Sequence, residues 1–275
     1  MTRRLICSDL DGTLLTSFKR LSDFNIRVIR ALQREGHVFS VCTGRQIRSA
    51  AYYASLIGPE ADVIASGGNL VLSGGTCIHR TVQDPKQLGK IFDIAERYGL
   101  IAGFHGIEAL YVTKSFQSAV VNAAANLVLP KEIERRVTLQ DRNEFLLHSD
   151  EYVLSTLMGM DQSKLQSAKE ELDQIGGLNI VSPFTGAFDI STREFDKGTA
   201  IRMLAHHHGI SIEDVISFGD GDNDLSMADS SGTLIAMGNA KDSLMLLADA
   251  VADTNDHDGV GRKLVEIFEI DEASL

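Results

Sequence analysis

Two aspartates, Asp9 and Asp11, stand two residues apart just beyond a short apolar run that begins at Leu5. Neighbouring carboxylates can divide the work of a reaction, because one can attack as a nucleophile while the other exchanges a proton with the leaving group. Gly12 would allow the tight turn that aims both side chains. The alternative is a pair of ordinary turn acids, since Asp and Gly are both favoured in turns for local conformational reasons.

A second acidic cluster, GDGDND, places Asp220, Asp222 and Asp224 within five residues. These carboxylates would repel one another unless solvent or a cation screened them, and an oxygen-rich site of this kind suits Mg²⁺. A calcium-binding EF-hand loop is disfavoured. Leu225 stands where that loop requires glycine, and Ser231 stands where it requires a terminal glutamate.

Lys197, in FDKGTAI, stands where a helix is predicted to begin. The positive end of the helix dipole disfavours a cation there, and an anion nearby would resolve the conflict. The alternative is a solvated surface lysine beside Asp196. Together with the two acidic clusters, the pattern favours phosphate as the anion.

Short apolar runs typical of buried strands recur along the chain, mostly separated by helical patterns. This alternation predicts an α/β fold with a doubly wound, Rossmann-like parallel sheet that carries helices on both faces. The runs are Leu5 to Cys7, Val38 to Cys42, Val63 to Ala65, Val215 to Phe218 and Thr233 to Met237.

The first helix has a predicted start, inner face and end. Ser22 is the predicted N-cap, and Gly36 marks the end of the helix. Ile26, Ile29 and Leu32 have the spacing of an inner face.

Residues 83–189 have a different pattern of helix-like and strand-like segments and are interpreted as an inserted α/β domain. Helix-like segments, Pro85 to Tyr98 and Ser163 to Ile175, flank short β-like pieces, and Leu178 to Val181 is strand-like. The sheet pattern resumes after Lys197. The predicted core domain therefore combines residues 1–82 and 190–275.

Polar residues follow several of the predicted strands. Asp9, Thr43, Ser66 and Asp220 each follow an apolar run. In an open α/β sheet, ligands collect beyond the carboxyl ends of the strands, so these side chains are expected to share one site. Taken singly, Thr43 could equally be a helix cap.

Composition and charge exclude several classes of partner. The net charge of −12 argues against broad binding to nucleic acid or to an anionic membrane, since both require an electropositive face. No apolar run has the length of a membrane span, and the amino-terminal residues do not resemble a secretory signal, so the cytoplasm is the expected location. Cys7, Cys42 and Cys77 have neither disulfide nor metal-ligand spacing and are expected to be reduced core residues.

Four motifs, DLDGT, TGR, DKG and GDGDND, occur in the order and approximate spacing of haloacid dehalogenase (HAD)-type phosphatases. The segments AMGNA and ADAVADTNDHDGVG resemble the Cof-type branch of that superfamily in particular. The resemblance covers nearly the whole chain, and residues 83–189 match the α/β cap of this branch by length and position.

The resemblance implies a role for each acidic residue. Asp9 would be the nucleophile that forms an aspartyl-phosphate, and Asp11 would protonate the leaving oxygen before activating water. Asp9 and Asp220, with the backbone carbonyl of Asp11, would hold one Mg²⁺ ion. Asp224 would support this set of ligands from behind.

The resemblance also implies a phosphate site formed by Thr43, Gly44, Lys197 and Asn223. One position departs from the family pattern, because Gly67 in ASGGNLV stands where relatives usually have asparagine. The contact of that asparagine is either missing or supplied by Asn69.

The cap is expected to select the substrate. His105, Lys114 and Arg142 are candidate contacts, although each is weighed against an ordinary solvated surface position. His206 to His208 are interpreted as the end of a helix before Gly209, because consecutive helical residues cannot converge on one metal ion. Asn239 is the predicted cap of a helix beyond the last long strand.

The resulting prediction is a Mg²⁺-dependent phosphatase that acts on a small phosphorylated metabolite, with a sugar phosphate as the leading candidate. One alternative is a phosphosugar mutase or phosphotransferase, which product analysis would separate from a phosphatase. The other is a non-catalytic sensor of a phosphorylated metabolite, which would have lost an essential carboxylate. These motifs predict neither the particular substrate nor the oligomeric state.

Overall fold

The structure, a computed structural model, describes residues 2–114, 135–182 and 185–275. Its strands form two separate sheets. In chain order the strands are β1 (Leu5–Ser8), β2 (Val38–Cys42), β3 (Asp62–Ala65), β4 (Leu70–Ser73), β5 (Thr76–Arg80), β6 (Ile101–His105), β7 (Leu110–Thr113), β8 (Arg136–Leu139), β9 (Leu154–Met158), β10 (Leu178–Val181), β11 (Ala187–Thr192), β12 (Val215–Gly219), β13 (Thr233–Ala236) and β14 (Ala250–Val251).

The helices of the described residues lie mostly between these strands. They are α1 (Asp23–Arg34), α2 (Ile47–Ile57), α3 (Pro85–Tyr98), α4 (Arg142–Leu147), α5 (Gln162–Asp173), α6 (Lys197–His208), α7 (Asp242–Met245) and α8 (Gly259–Phe268). Within the described ranges, no helix combines the length and the apolar composition needed to cross a membrane.

The first sheet has the strand order β14-β13-β12-β1-β2-β3-β4-β5. The strands from β14 to β3 are parallel, whereas β4 and β5 add an antiparallel edge that the sequence did not predict. The chain leaves β1 toward β2 and later returns on the other side of β1 at β12. The gap beyond β1 and β12 is therefore the topological switch point, where open α/β sheets bind ligands.

Helices cover both faces of the first sheet, as predicted. On β1, Ile6 packs into the cluster formed with α1, α2 and α8, whereas Leu5 and Cys7 pack into the cluster formed with α6. A strand covered on both faces has no solvent side, which explains why the core strands are continuous apolar runs. Cys42 is also buried, but Cys77 lies exposed on the edge strand β5, so its prediction as a core residue was wrong.

Helix α1 begins as predicted. The Ser22 side chain accepts a hydrogen bond from the Asn25 amide at 3.1 Å, and Gly36 follows the helix with a φ of 92°. The buried face is rotated slightly from the prediction, because Val28 is buried while Ile26 is only half-buried. Asn25 is also buried on this face, where its side chain accepts a hydrogen bond from a backbone amide of α8.

The second sheet has the strand order β10-β11-β9-β6-β7-β8 and is built from the residues inserted between β5 and β12. Its pairs are antiparallel apart from β7 with β8. The predicted α3 and β10 are confirmed with the same bounds, and α5 is shorter than predicted. Strand β11 continues to Thr192, across the domain boundary predicted at residue 189. The predicted α/β architecture, a doubly wound core with an inserted α/β unit, is confirmed.

Close backbone approach determines how α6 docks on the core. A Cβ atom at Gly198 would overlap the backbone carbonyl of Ser226, in the segment that follows β12. We expect Gly198→Ala to lower the free energy of unfolding by about 1 to 3 kcal/mol, because backbone atoms cannot move aside as a side chain can. Urea unfolding followed by circular dichroism measures the change.

Gly89→Ala in α3 is the matched control. A Cβ atom at Gly89 meets only the end of the flexible Arg142 side chain, so alanine should leave stability unchanged or raise it by up to about 1 kcal/mol. Equal effects of the two substitutions would show that close approach at Gly198 does not limit the docking of α6.

Candidate active site

The first sheet brings the predicted site residues to one edge. Asp9 follows β1 and Asp220 follows β12, and these strands are paired in register at Ser8 and Phe218. The Asp9 amide donates to the Phe218 carbonyl at 3.0 Å, which continues the ladder into the site. Thr43 follows β2, the other neighbour of β1.

Lys197 lies at the centre of the site and is almost completely buried. Its ammonium donates to Oδ1 of Asp9 and to Oδ1 of Asp224, both at 2.6 Å. Burial alone would lower the pKa of Lys197, but the two carboxylates hold it above its ordinary value. The predicted conflict between this cation and the dipole of α6 is thus relieved by carboxylates of the chain itself.

Asp9 and Asp220 are electrostatically crowded. Burial raises the pKa of Asp9 well above its ordinary value, although Lys197 acts in the opposite direction. Burial and the neighbouring Asp224 raise the pKa of Asp220 to about 6, while the Thr13 hydroxyl donates to its Oδ1 at 2.9 Å. One carboxylate oxygen from each of Asp9, Asp220 and Asp224 lies within 4.8 Å of the others.

Asp224 is saturated by donors of the chain. Its Oδ2 accepts from the backbone amides of Asp220 and Gly221, both at 3.0 Å, while its Oδ1 accepts from Lys197. Asp222, the middle acid of the same motif, lies away from this group and binds Lys241 and Ser243. The acidic motif therefore contributes two of its three aspartates to the site.

Gly12 allows the two acidic loops to meet. Its φ is 86°, and a Cβ atom at this position would overlap the Asp220 carboxylate. Asn239, predicted as a helix cap, instead donates to the Gly12 carbonyl at 2.8 Å and accepts from the Asn255 amide at 3.0 Å. That prediction was wrong, because the helix begins at Asp242 and the loop before it folds back on the site.

Asp11 is held by two cations. Arg45 donates to both of its oxygens, at 2.6 and 2.7 Å, and Lys19 donates to Oδ1 at 2.7 Å. Burial raises the pKa of Asp11, but Arg45 and Lys19 together outweigh it and lower the pKa to about 2. Sequence reasoning gave Arg45 no role although it stands in the TGR motif, and no local pattern indicated Lys19.

The loop after β3 explains the departure at Gly67. Gly67 has a φ of 67°, a conformation that asparagine tolerates better than most residues and that glycine adopts freely. Asn69 does not replace the missing asparagine, because it is buried and donates to the Ser66 carbonyl at 2.7 Å. The Gly67 amide donates to the Thr43 carbonyl, which ties this loop to the predicted phosphate loop.

A cavity of about 680 Å³ lies between the two sheets. On the core side it is lined by the predicted residues Asp9, Asp11, Thr43, Gly44, Asp220 and Asn223. Lys197 lines a smaller adjoining cavity that shares Gly44 and Asn223.

Of the three candidate residues in the inserted unit, only His105 lines the cavity. It is 8% exposed, so its interpretation as a surface residue was wrong, because alternation along β6 turns it toward the cavity. Lys114 lies elsewhere and donates to Gln140 at 3.0 Å, and Arg142 pairs with Asp93 at the surface.

Gln46 links the start of α2 to the loop that follows β6, on the other side of the cavity. Its Oε1 caps α2 by accepting from the Arg48 amide, and its Nε2 donates to the carbonyls of Gly106 and Ile107 at 2.8 and 2.9 Å. It is 2% exposed. Nothing in the sequence indicated this contact, since the loop it reaches lies far along the chain.

The fold and this acidic site define the class of the protein. A family model described as haloacid dehalogenase-like hydrolase matches residues 6–264, and the chain belongs to this family. It is a phosphatase of the Cof-type branch, as the motifs indicated.

Individual relatives agree with this assignment. The chain is 30% identical to the phosphatase YwpJ of Bacillus subtilis (strain 168), with 96% of this chain and 100% of the relative covered. It is 27% identical to the 5-amino-6-(5-phospho-D-ribitylamino)uracil phosphatase YitU of the same organism, with 97% and 98% covered. A solved haloacid dehalogenase-like hydrolase from B. subtilis superposes with a TM-score of 0.85 at 26% identity, covering 95% of this chain and 98% of that one.

The buried position of Lys197 leads to a stability prediction. We expect Lys197→Met to lower the free energy of unfolding by about 3 to 5 kcal/mol at neutral pH, because it leaves Asp9 and Asp224 buried without their cation. Adding Asp224→Asn should recover part of the loss. Urea unfolding in the presence of a chelator measures both changes.

Lys169→Met is the control, because Lys169 pairs with Asp173 at 2.7 Å on the outer surface of α5. Its effect should stay within about 0.5 kcal/mol. A similar loss for the two lysine variants would contradict the central role of the buried cation.

Proposed function

We propose that the protein is a Mg²⁺-dependent phosphatase that hydrolyses a small phosphorylated metabolite through an aspartyl-phosphate on Asp9. The observation that carries this proposal is the environment of Asp9 at the switch point. Lys197 engages its Oδ1, while Oδ2 has no hydrogen bond to the described part of the chain. We assign Oδ2 to the attack on phosphorus.

The first chemical step forms a bond between Asp9 Oδ2 and phosphorus while the bond from phosphorus to the ester oxygen breaks. Asp11 gives a proton to the departing oxygen. The ion pairs of Asp11 with Arg45 and Lys19 favour its ionised form, so this step requires those cations to turn toward the substrate phosphate.

The second step hydrolyses the aspartyl-phosphate. Asp11, now ionised, takes a proton from water as the water oxygen attacks phosphorus. The bond between phosphorus and Asp9 breaks, which releases inorganic phosphate and restores the carboxylate. The contacts of Asp11 with Arg45 and Lys19 fix its orientation but disfavour its protonation, so this step also requires the cations to turn toward the phosphoryl group.

The donor set fits Mg²⁺. The clustered oxygens of Asp9, Asp220 and Asp224, together with the raised pKa of Asp220, indicate a concentration of negative charge that a divalent cation would neutralise. Asp9, Asp220 and the carbonyl of Asp11 would hold the ion, with Asp224 as support because its oxygens already accept from the chain. When bound, Mg²⁺ would supply charge stabilisation to the phosphoryl group.

We assign the phosphate oxygens to Thr43, Gly44, Lys197 and Asn223. The Thr43 hydroxyl accepts from the Arg45 amide at 3.1 Å, which orients it and leaves its own hydrogen free to donate. Fixed donors of this kind stabilise the charge that is spread over the phosphoryl oxygens in the transition state.

We assign residues 83–189 to a cap that closes the site from water and contacts the leaving group. The cavity of about 680 Å³ accommodates a small metabolite, and a sugar phosphate is the leading class. The name of the relative YitU specifies a phosphate ester of a ribityl chain, so that compound belongs in the substrate panel with sugar phosphates.

The test measures phosphate release from this panel with Mg²⁺ or with chelator. We expect Asp9→Asn to lower turnover by about 10³-fold or more, because the amide cannot attack phosphorus. Unfolding in urea should remain cooperative. Asp173→Asn, at the surface of α5, is the matched control and should retain native activity.

Two results would contradict the mechanism. Substantial turnover by pure Asp9→Asn protein would exclude Asp9 as the nucleophile, and full activity in chelator would exclude the metal. An isomeric phosphate in place of inorganic phosphate would indicate a mutase.

A further inference from the structure

The wall of the cavity formed by the second sheet is mainly aliphatic. Alternate residues of β6, β7 and β9 face the cavity, and Gly103 is among them. The aliphatic members are Ile101, Leu110, Val112 and Met158. Asp189 and Arg136 are the charged members of this wall among the described residues, and they stand on opposite sides of it, on β11 and β8.

Asp189 is held in one orientation by its neighbours. It lies opposite Thr156 in the register of β11 and β9, and the Thr156 hydroxyl donates to its Oδ1 at 2.7 Å. Since that hydrogen is used, the hydroxyl accepts from Nε2 of His105 at 3.2 Å. Burial lowers the pKa of His105 to about 4, so the ring is neutral at physiological pH.

The second oxygen of Asp189 reaches the core. Its Oδ2 lies 3.3 Å from the position that a Cβ atom would occupy on Gly44, beside Thr43. Burial raises the pKa of Asp189 to about 6, despite the hydrogen bond from Thr156 and the charge of Lys197. A half-buried carboxylate next to a phosphate site weakens phosphate binding by repulsion, so its presence indicates a favourable contact with another part of the substrate.

We propose that Asp189 is a specificity-determining residue that accepts a hydrogen bond from a hydroxyl or N–H group of the leaving group, close to the ester bond. This inference rests on the proposed function and adds the substrate class. The substrate class is a phosphate ester whose leaving group carries a hydroxyl or N–H group close to the ester bond, and esters whose leaving group carries a carboxylate near phosphorus are rejected by like charge. Thr156 positions Asp189.

The strand register shows how the wall extends away from Asp189. Asp189, Thr156, Gly103 and Val112 lie in one row across four adjacent strands. Three strand spacings separate the ends of the row, or about 14 Å. Beyond the hydroxyl that Asp189 selects, the leaving group would therefore continue along an aliphatic surface.

The test compares two substrates that differ only in hydroxyl groups, ribitol 5-phosphate and n-pentyl phosphate. The native protein should have the higher kcat/KM for ribitol 5-phosphate. Asp189→Asn should lower the ratio of the two kcat/KM values by about 10- to 100-fold, the effect of losing a hydrogen bond to a charged acceptor. The ratio cancels any change in phosphate binding, because both substrates carry the same phosphate.

Two further variants complete the design. Thr156→Val keeps the side-chain shape but releases Asp189, so it should lower the same ratio by a smaller factor, chiefly through KM for ribitol 5-phosphate. This variant also tests the proposal if Asp189→Asn fails to fold. Asp93→Asn, a matched substitution of an aspartate that pairs with Arg142 at the surface, should leave the ratio unchanged.

Each outcome separates the inference from the proposed function. A native protein that hydrolyses both esters without preference, or a ratio that neither Asp189→Asn nor Thr156→Val lowers, would overturn the role of Asp189 and leave the phosphatase mechanism intact. Activity of Asp9→Asn equal to that of the native protein would instead overturn the proposed function and, with it, this inference.

Discussion

The ammonium of Lys197, buried between the carboxylates of Asp9 and Asp224, is the contact on which the rest of the site depends. It joins the end of β1, the start of α6 and the segment after β12, which are far apart in the chain. Burying any one of these charges alone would cost several kcal/mol, so they are stable only when all three segments are docked together. Formation of the site and packing of the core are therefore one event, and the close approach of Gly198 to Ser226 is what permits it.

Two aspartates of the same site have opposite pKa shifts, and the difference separates their roles. Asp11 is paired with Arg45 and Lys19, which lower its pKa to about 2 and fix its orientation. Asp220 is half-buried beside Asp224, and its pKa rises to about 6. A carboxylate paired with cations is fixed in orientation and takes up a proton only when those cations turn to the substrate phosphate, whereas one crowded by other carboxylates is suited to a bound cation. An aspartate side chain thus serves two purposes in this site, because the neighbours of Asp11 and of Asp220 differ.

The second sheet divides its two faces between stability and recognition. On β6, Ala102 and Phe104 pack into the hydrophobic core beneath α3 and α5, while Ile101, Gly103 and His105 face the cavity. This division follows from the alternation of side chains along a strand. The first sheet thus supplies charged groups at its switch point, and the second supplies an aliphatic wall with few polar groups.

Sequence alone determined the central parallel strands of the first sheet and the residues that follow them, because apolar runs, caps and turn glycines act on their own neighbourhood. Strand β2 illustrates this, since the apolar run predicted both of its bounds without error. Sequence also placed Asp9, Thr43 and Asp220 at the ends of strands. What it could not determine was which distant side chains complete the site. The sequence did not distinguish His105, which lines the cavity, from the other candidate contacts, and the contact of Gln46 with the loop at Gly106 had no signal in the sequence. Such contacts depend on strand register and on how the two sheets pack, and only the tertiary structure decides these.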